Sequence, residues 1–312
     1  MNSKFLIGTY TKRYSKGIYE LTIDENGLGD LRKVFKLNNP TYLDMHENLL
    51  ISSHGADGIG GVVLFNYKDE TLYPLDKSDK FTCSPCHVSI YKQFALSSNY
   101  HDGIFILYKI TPDNYLKEVN RITLKESNLH FSSVYKDHLY LVDAKNATIY
   151  IYDFSTLTLL GKIELELFSK PRHIAFKNNL GYIITEGTNQ IIIFSTDDFN
   201  ILAQYEPLDL HSTDLEGSAI LIKDDLLYSA ERKTNTISVF KILETGELQH
   251  LQNFNHETIN APRDFTISKD NRLICLNSLK DSISIFTIDS LGLIKDFQSE
   301  IFVPEPICVK EL

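Results

Sequence analysis

Short runs of β-branched and aromatic residues, separated by polar breaks, recur along the whole chain and set its organisation. The clearest unit lies in residues 171–194. An apolar run opens at Ile174, breaks at Lys177-Asn178-Asn179, resumes as Gly181-Tyr182-Ile183-Ile184, breaks at Gly187-Thr188-Asn189 and returns as Ile191-Ile192-Ile193-Phe194. That alternation predicts strand, hairpin, strand, hairpin, strand. In an antiparallel meander the start of the first strand and the end of the second share one edge, so Arg172 and Glu186 become spatial neighbours.

The unit repeats. Openings of the same kind stand at Pro40-Thr41-Tyr42, Pro85-Cys86-His87, Leu129-His130-Phe131, Pro171-Arg172-His173, Gly217-Ser218-Ala219, Pro262-Arg263-Asp264 and Pro304-Glu305-Pro306. They are roughly 42 to 46 residues apart, the period of four-stranded propeller blades. Third strands show as Ile149-Tyr150-Ile151-Tyr152, Ile237-Ser238-Val239-Phe240, Ile283-Ser284-Ile285-Phe286 and their equivalents, and no stretch sustains a helical period. The expected fold is therefore all-β: one seven-bladed β-propeller domain of four-stranded antiparallel blades, spanning residues 1–312. The chain starts with what read as strands two to four of a blade and ends with one strand, Ile307 to Leu312. Pairing the two ends closes the first blade and leaves no unpaired radial edge.

Composition narrows the partners. At 312 residues and 43% hydrophobic the chain can bury a large core, and its net charge of -10 disfavours nucleic acid. No apolar run is long enough for a membrane helix, and no leader pattern precedes the first strand. The expectation is a cytoplasmic protein, monomeric or weakly homo-oligomeric, with no nucleic-acid or membrane partner and no cofactor. Cys83-Ser84-Pro85-Cys86 has metal or redox spacing but lacks a second ligand pair, so it reads as a reduced thiol pair in a turn.

Two columns of polar residues should meet at one channel mouth. The blade openings offer Tyr42, His87, His130, Arg172 and Arg263; the ends of second strands offer His54, Tyr100, Glu186, Glu231, Arg232 and Asn277. Polar groups there can simply satisfy turn backbone, but Arg172, Glu186 and Arg232 together would hold an anion and keep a carboxylate as base. The substrate-binding set is read as His87, Asn99, Tyr100, Arg263 and Asn277. The other histidines, His46, His138, His211, His250 and His256, fall in polar turns and read as solvated. Asp209, Asp214 and Glu216 read as a solvated connection that could also flank the mouth.

The chain resembles the seven-bladed propeller lactonases, the family of the propeller-type 6-phosphogluconolactonases and the fungal carboxymuconate cyclases. The resemblance rests on GTYT (Gly8 to Thr11) with GIY (Gly17 to Tyr19), NPTYL (Asn39 to Leu43), PCHVS (Pro85 to Ser89) with Ser98-Asn99-Tyr100, PRHIAF (Pro171 to Phe176), AERKTNTISVF (Ala230 to Phe240), PRDF (Pro262 to Phe265) and CVK (Cys308 to Lys310). It implies a site of one histidine, two arginines and a glutamate, which fall on His130, Arg172, Glu186 and Arg232, with His101 as the alternative histidine. The implied activity is hydrolysis of a sugar-acid lactone, 6-phosphogluconolactone foremost, on a small anionic substrate. The arginines would bind the anion and oxyanion while Glu186 or His130 activates water. Two alternatives stay open: a muconate-type cycloisomerase using the same residues, and a non-enzymatic propeller that binds a small anion or a peptide.

Overall fold

A computed structural model describes residues 2–207 and 214–312. Asp209 and His211 lie outside the described residues. Among those described, the strands form seven four-stranded antiparallel sheets, each ordered from an inner to an outer strand. We number these blades 1 to 7: residues 3–36 with 306–311, then 43–81, 87–123, 129–164, 171–205, 217–255 and 262–302. No helix is long and apolar enough to cross a membrane.

The ring closes as its two ends suggest. Pro306–Glu311 pairs with Ser3–Thr9, so the last strand becomes the inner strand of blade 1. A carboxylate reinforces the seam. Glu305, 3% exposed, accepts backbone hydrogen bonds from Lys12, Arg13, Tyr14 and Ser15 at 2.9–3.1 Å. Arg13 is shared between Asp281 at 2.7 Å and Glu305 at 3.7 Å, tying blades 1 and 7 together.

The core lies in the seams between blades, because a sheet buried on both faces needs large apolar side chains against each neighbour. Tyr140, Val142, Ile149 and Ile151 of blade 4 pack against Ile174, Ile183, Ile192 and Phe194 of blade 5, and comparable clusters fill the other seams. The aromatics that end third strands, Phe194, Phe240 and Phe286, are at most 2% exposed. Each such ring contributes on the order of 1.5 to 3 kcal/mol by burial. Inner tyrosines also lock seams by polar contact: Tyr182 donates to the Gly246 carbonyl and Tyr228 to that of Gly292.

Candidate active site

Each blade presents two special positions to the mouth. The first lies at or just before the start of the inner strand and in blades 1, 4, 5 and 7 is a bulge of one extra residue. In blade 4 Leu129 pairs with Asp143 and Phe131 with Val142, so His130 is skipped; in blade 5 Arg172 is skipped, and in blade 7 Arg263. In blade 1 Ile307 is skipped in the same way. A bulge leaves its extra residue out of the ladder and re-aims its side chain. Here it turns that side chain into the axial cavity, which Tyr42, Cys86, His130, Arg172, Arg263 and Ile307 all line.

The second position follows the end of the second strand, where parity decides. Asn99, Asp143, Thr185, Glu231 and Asn277 pair as the last or near-last rung, and are all at most 2% exposed. They hold their turns together. Asn99 Oδ1 accepts from the amides of His101 and Asp102, Glu231 from Glu216, Lys233 and Thr234, and Asn277 Oδ1 from Asn260. One residue on, the side chain points the opposite way. Tyr10, Tyr100, Glu186 and Arg232 occupy that next position and line the cavity.

Blade 5 therefore supplies both an arginine and a carboxylate. Arg172 Nε and an Arg232 terminal nitrogen each lie 3.2 Å from the same oxygen, Glu186 Oε2. Arg232 also reaches Glu216 at 3.2 Å, and a terminal nitrogen of Arg172 donates to the Ser218 carbonyl. The Glu186 backbone is fixed as well, its amide donating to Lys170 O at 2.7 Å. Gly187 permits that approach, since a Cβ there would stand 2.0 Å from the Phe168 carbonyl oxygen.

The electrostatics follow from burial under these cations. Burial alone pushes the Glu186 carboxyl up, but Arg172, Arg232 and Arg263 outweigh it and hold it below the usual carboxylate range. Arg172 is pushed down to about 10 by burial and then by repulsion from Arg263, and stays cationic at neutral pH. His130 and His173, ring centroids 5.3 Å apart, are held neutral by burial and by Arg172. Four buried polar atoms here lack an aligned hydrogen-bond partner: Arg172 Nε, Arg232 Nε, His130 Nδ1 and His173 Nε2. Arg172 Nε is close to Glu186 in distance only, not in hydrogen-bond geometry.

The structure brings His130, Arg172, Glu186 and Arg232 to one cavity of about 480 Å³, together with Tyr100, Arg263 and His101. Five other expected residues stay out of its wall. Asn99 and Asn277 are the turn-capping side of the parity just described, their amides given to Cys83 O and to Ser282 and Ser284. His87 opens the inner strand of blade 3 in register with Ser98, one residue after the cavity-lining Cys86, and its ring packs between Tyr42 and Phe131 at centroid distances of 4.4 and 4.3 Å. Glu231 caps its turn, and His54 faces Asp79 of the outer strand at 2.7 Å. Cys83 and Cys86 are free thiols on the cavity wall, and burial pushes the Cys86 thiol up to about 12.

Several wall residues were not singled out by sequence. His173 and Asp264 follow the bulges of blades 5 and 7, while Tyr10 and Lys12 enter from the blade 1 turn. The signal that could have found Tyr10 is its register equivalence to Tyr100 and Glu186. Burial pushes the Asp264 carboxyl up to about 6, although Val309 donates its amide to it.

Comparison with known proteins agrees with this geometry. Residues 4–311 match the family model described as lactonase, 7-bladed beta-propeller. The 6-phosphogluconolactonase of Bacillus subtilis is 30% identical over 98% of this chain and 97% of its own length. A crystal structure from Lactobacillus plantarum superposes with a TM-score of 0.93 at 25% identity, covering all of both chains. The periplasmic gluconolactonase of Pseudomonas aeruginosa shares the fold, with a TM-score of 0.91 over 100% of this chain and 99% of its own, at 17% identity. With the repeat, the closed ring and a family match along nearly its full length, this chain belongs to the lactonase family of seven-bladed β-propellers.

Proposed function

We propose that the axial cavity hydrolyses the ring ester of a sugar-acid lactone, with 6-phosphogluconolactone, the substrate in the name of the Bacillus subtilis relative, as the first candidate. The observation that carries this reading is the ionised Glu186 held between two guanidiniums whose Nε donors, like His130 Nδ1, have no aligned partner. Buried polar atoms without partners are rare in native proteins, and a bound substrate would satisfy them.

The chemistry needs little else. Glu186 takes a proton from water as the water oxygen bonds to the lactone carbonyl carbon. Arg172 and Arg232 stabilise the oxyanion of the tetrahedral intermediate through donors already in place. Collapse breaks the bond to the ring oxygen, which receives the proton from Glu186, and the hydroxy acid leaves as its carboxylate. His130, neutral at pH 7, is positioned to hydrogen-bond the sugar or the leaving oxygen. General base catalysis gives about 10²- to 10⁴-fold and one oxyanion donor about 10²- to 10³-fold, sufficient for a labile ester.

The test is turnover of 6-phosphogluconolactone, glucono-1,5-lactone and cis,cis-muconate by the wild type and by Glu186→Gln. Lactone turnover that the substitution cuts by about 10²- to 10⁴-fold supports the reading. Turnover of muconate alone, or a variant as fast as wild type, overturns it.

A further inference from the structure

The cations around the cavity fall into two groups. Arg172 is neutralised by Glu186, Arg232 by Glu186 and Glu216, Lys233 by Glu216 and Asp214, and Arg13 by Asp281 and Glu305. Lys12 and Arg263 remain. Among the described residues neither side chain has a carboxylate within ion-pair distance; instead both flank the ring of Tyr10. Lys12 Nζ lies 4.5 Å and Arg263 Cζ 5.7 Å from its centroid. All three residues line the same cavity as Glu186, and with Arg232 they also form the wall of an adjoining hollow of about 600 Å³.

An unpaired arginine at the wall of a half-enclosed pocket is costly when the pocket is empty, because it repels the buried cations nearby. Repulsion from Arg263 acts on Arg172 more strongly than the attraction of Glu186 does. An anion beside Arg263 would remove that conflict. Asp264, the next residue in the chain, does not supply it: it forms no ion pair with Arg263, and its carboxylate accepts from the Val309 amide.

We propose that Lys12 and Arg263 form a phosphate subsite beside Tyr10, set apart from the Arg172–Glu186–Arg232 centre, and that they determine a preference for phosphorylated over unphosphorylated lactones. Two cations match the charge of about −1.5 to −2 on a phosphate monoester at pH 7, and the arginine fork suits its oxygens. The Tyr10 ring, against which both cations rest, holds them at the cavity wall. This assignment rests on the lactonase reading for its substrate, but the anion site itself is independent of turnover.

Two measurements separate them. Calorimetric titration with inorganic phosphate probes the subsite directly: Arg263→Gln and Lys12→Gln should each raise its Kd by about 10-fold or more, and Arg263→Lys should recover part of the loss. Kinetics on 6-phosphogluconolactone and glucono-1,5-lactone probe its use, Arg263→Gln cutting the preference for the phosphorylated substrate by about 10- to 100-fold through KM rather than kcat. Should wild type turn over neither lactone, the lactonase reading falls while the phosphate titration still judges the site. Phosphate affinity that is independent of both Arg263 and Lys12, or an unchanged substrate preference in an active enzyme, overturns the proposal. Circular dichroism spectra confirm folding, and the exposed Lys12→Gln serves if Arg263→Gln does not fold.

Discussion

Blades 5 and 7 use the same scaffold to opposite electrostatic ends. Both begin on proline, both bulge at an arginine, and both end the second strand on a buried, turn-holding residue, Thr185 in one and Asn277 in the other. They differ one residue later. Blade 5 has Glu186 there and so neutralises its own Arg172; blade 7 has Ser278, whose hydroxyl donates to the Ala261 carbonyl, and among the described residues no carboxylate pairs with Arg263. A single position thus decides whether a blade contributes a carboxylate clamped by cations or a cation without a carboxylate partner. Catalysis and anion recognition can then be divided between blades without changing the backbone.

The largest expected effect comes from removing the acid of blade 5. Glu186→Gln keeps the shape but cannot take a proton, so kcat on a lactone should fall by about 10²- to 10⁴-fold. Because the carboxyl lies below its ordinary 4.5, wild-type activity on unphosphorylated lactone should hold as pH falls to that value and decline only beneath it. A pH–rate profile checks this. Next in size is the reverse change: Ser278→Glu would give blade 7 the acid that blade 5 has, neutralise Arg263 and weaken phosphate binding by about 10-fold or more in the same titration. An unchanged Kd would mean that the blades are not interchangeable in this way.

The smallest effect concerns the residue after each bulge, neutral His173 in blade 5 and Asp264 in blade 7. The folded-state pKa of Asp264 is raised from 3.8 to about 6, so the folded protein binds its proton more tightly than the unfolded chain does. By linkage its contribution is most favourable below pH 3.8 and is lost as pH climbs to about 6. Asp264→Asn should therefore stabilise the protein at pH 8, on the order of 1 to 3 kcal/mol given that the group is half-buried, and by little at pH 4. Melting curves at the two pH values read the difference, and equal shifts at both would count against an ionised, strained Asp264.

Much of this was legible beforehand for a plain reason. Alternation of apolar and polar residues reports strands, and repetition of the pattern seven times leaves few architectures besides a ring. The missing first strand at the N-terminus and the lone strand at the C-terminus signalled the closure seen between Pro306–Glu311 and Ser3–Thr9. Arg172, Glu186 and Arg232 were also found, because hairpin pairing brings residues on one edge together however far apart they are in sequence. His87, Asn99 and Asn277 were misplaced by one residue each. Asn99 and Asn277 cap turns and His87 pairs in the ladder, and in a structure of period two a single step moves a side chain from the cavity wall into a seam or a turn.

Local pattern therefore fixed what each segment is: strand, hairpin, blade, and the order of blades around the ring. Which side chains meet in the cavity was a tertiary matter. Bulge position, the parity of the residue after each second strand and the pairing of Arg232 with both Glu186 and Glu216 all depend on backbone geometry accumulated across neighbouring blades. Charge balance is likewise a property of the closed ring: Lys12 and Arg263 come from opposite ends of the chain, and only closure brings both against Tyr10.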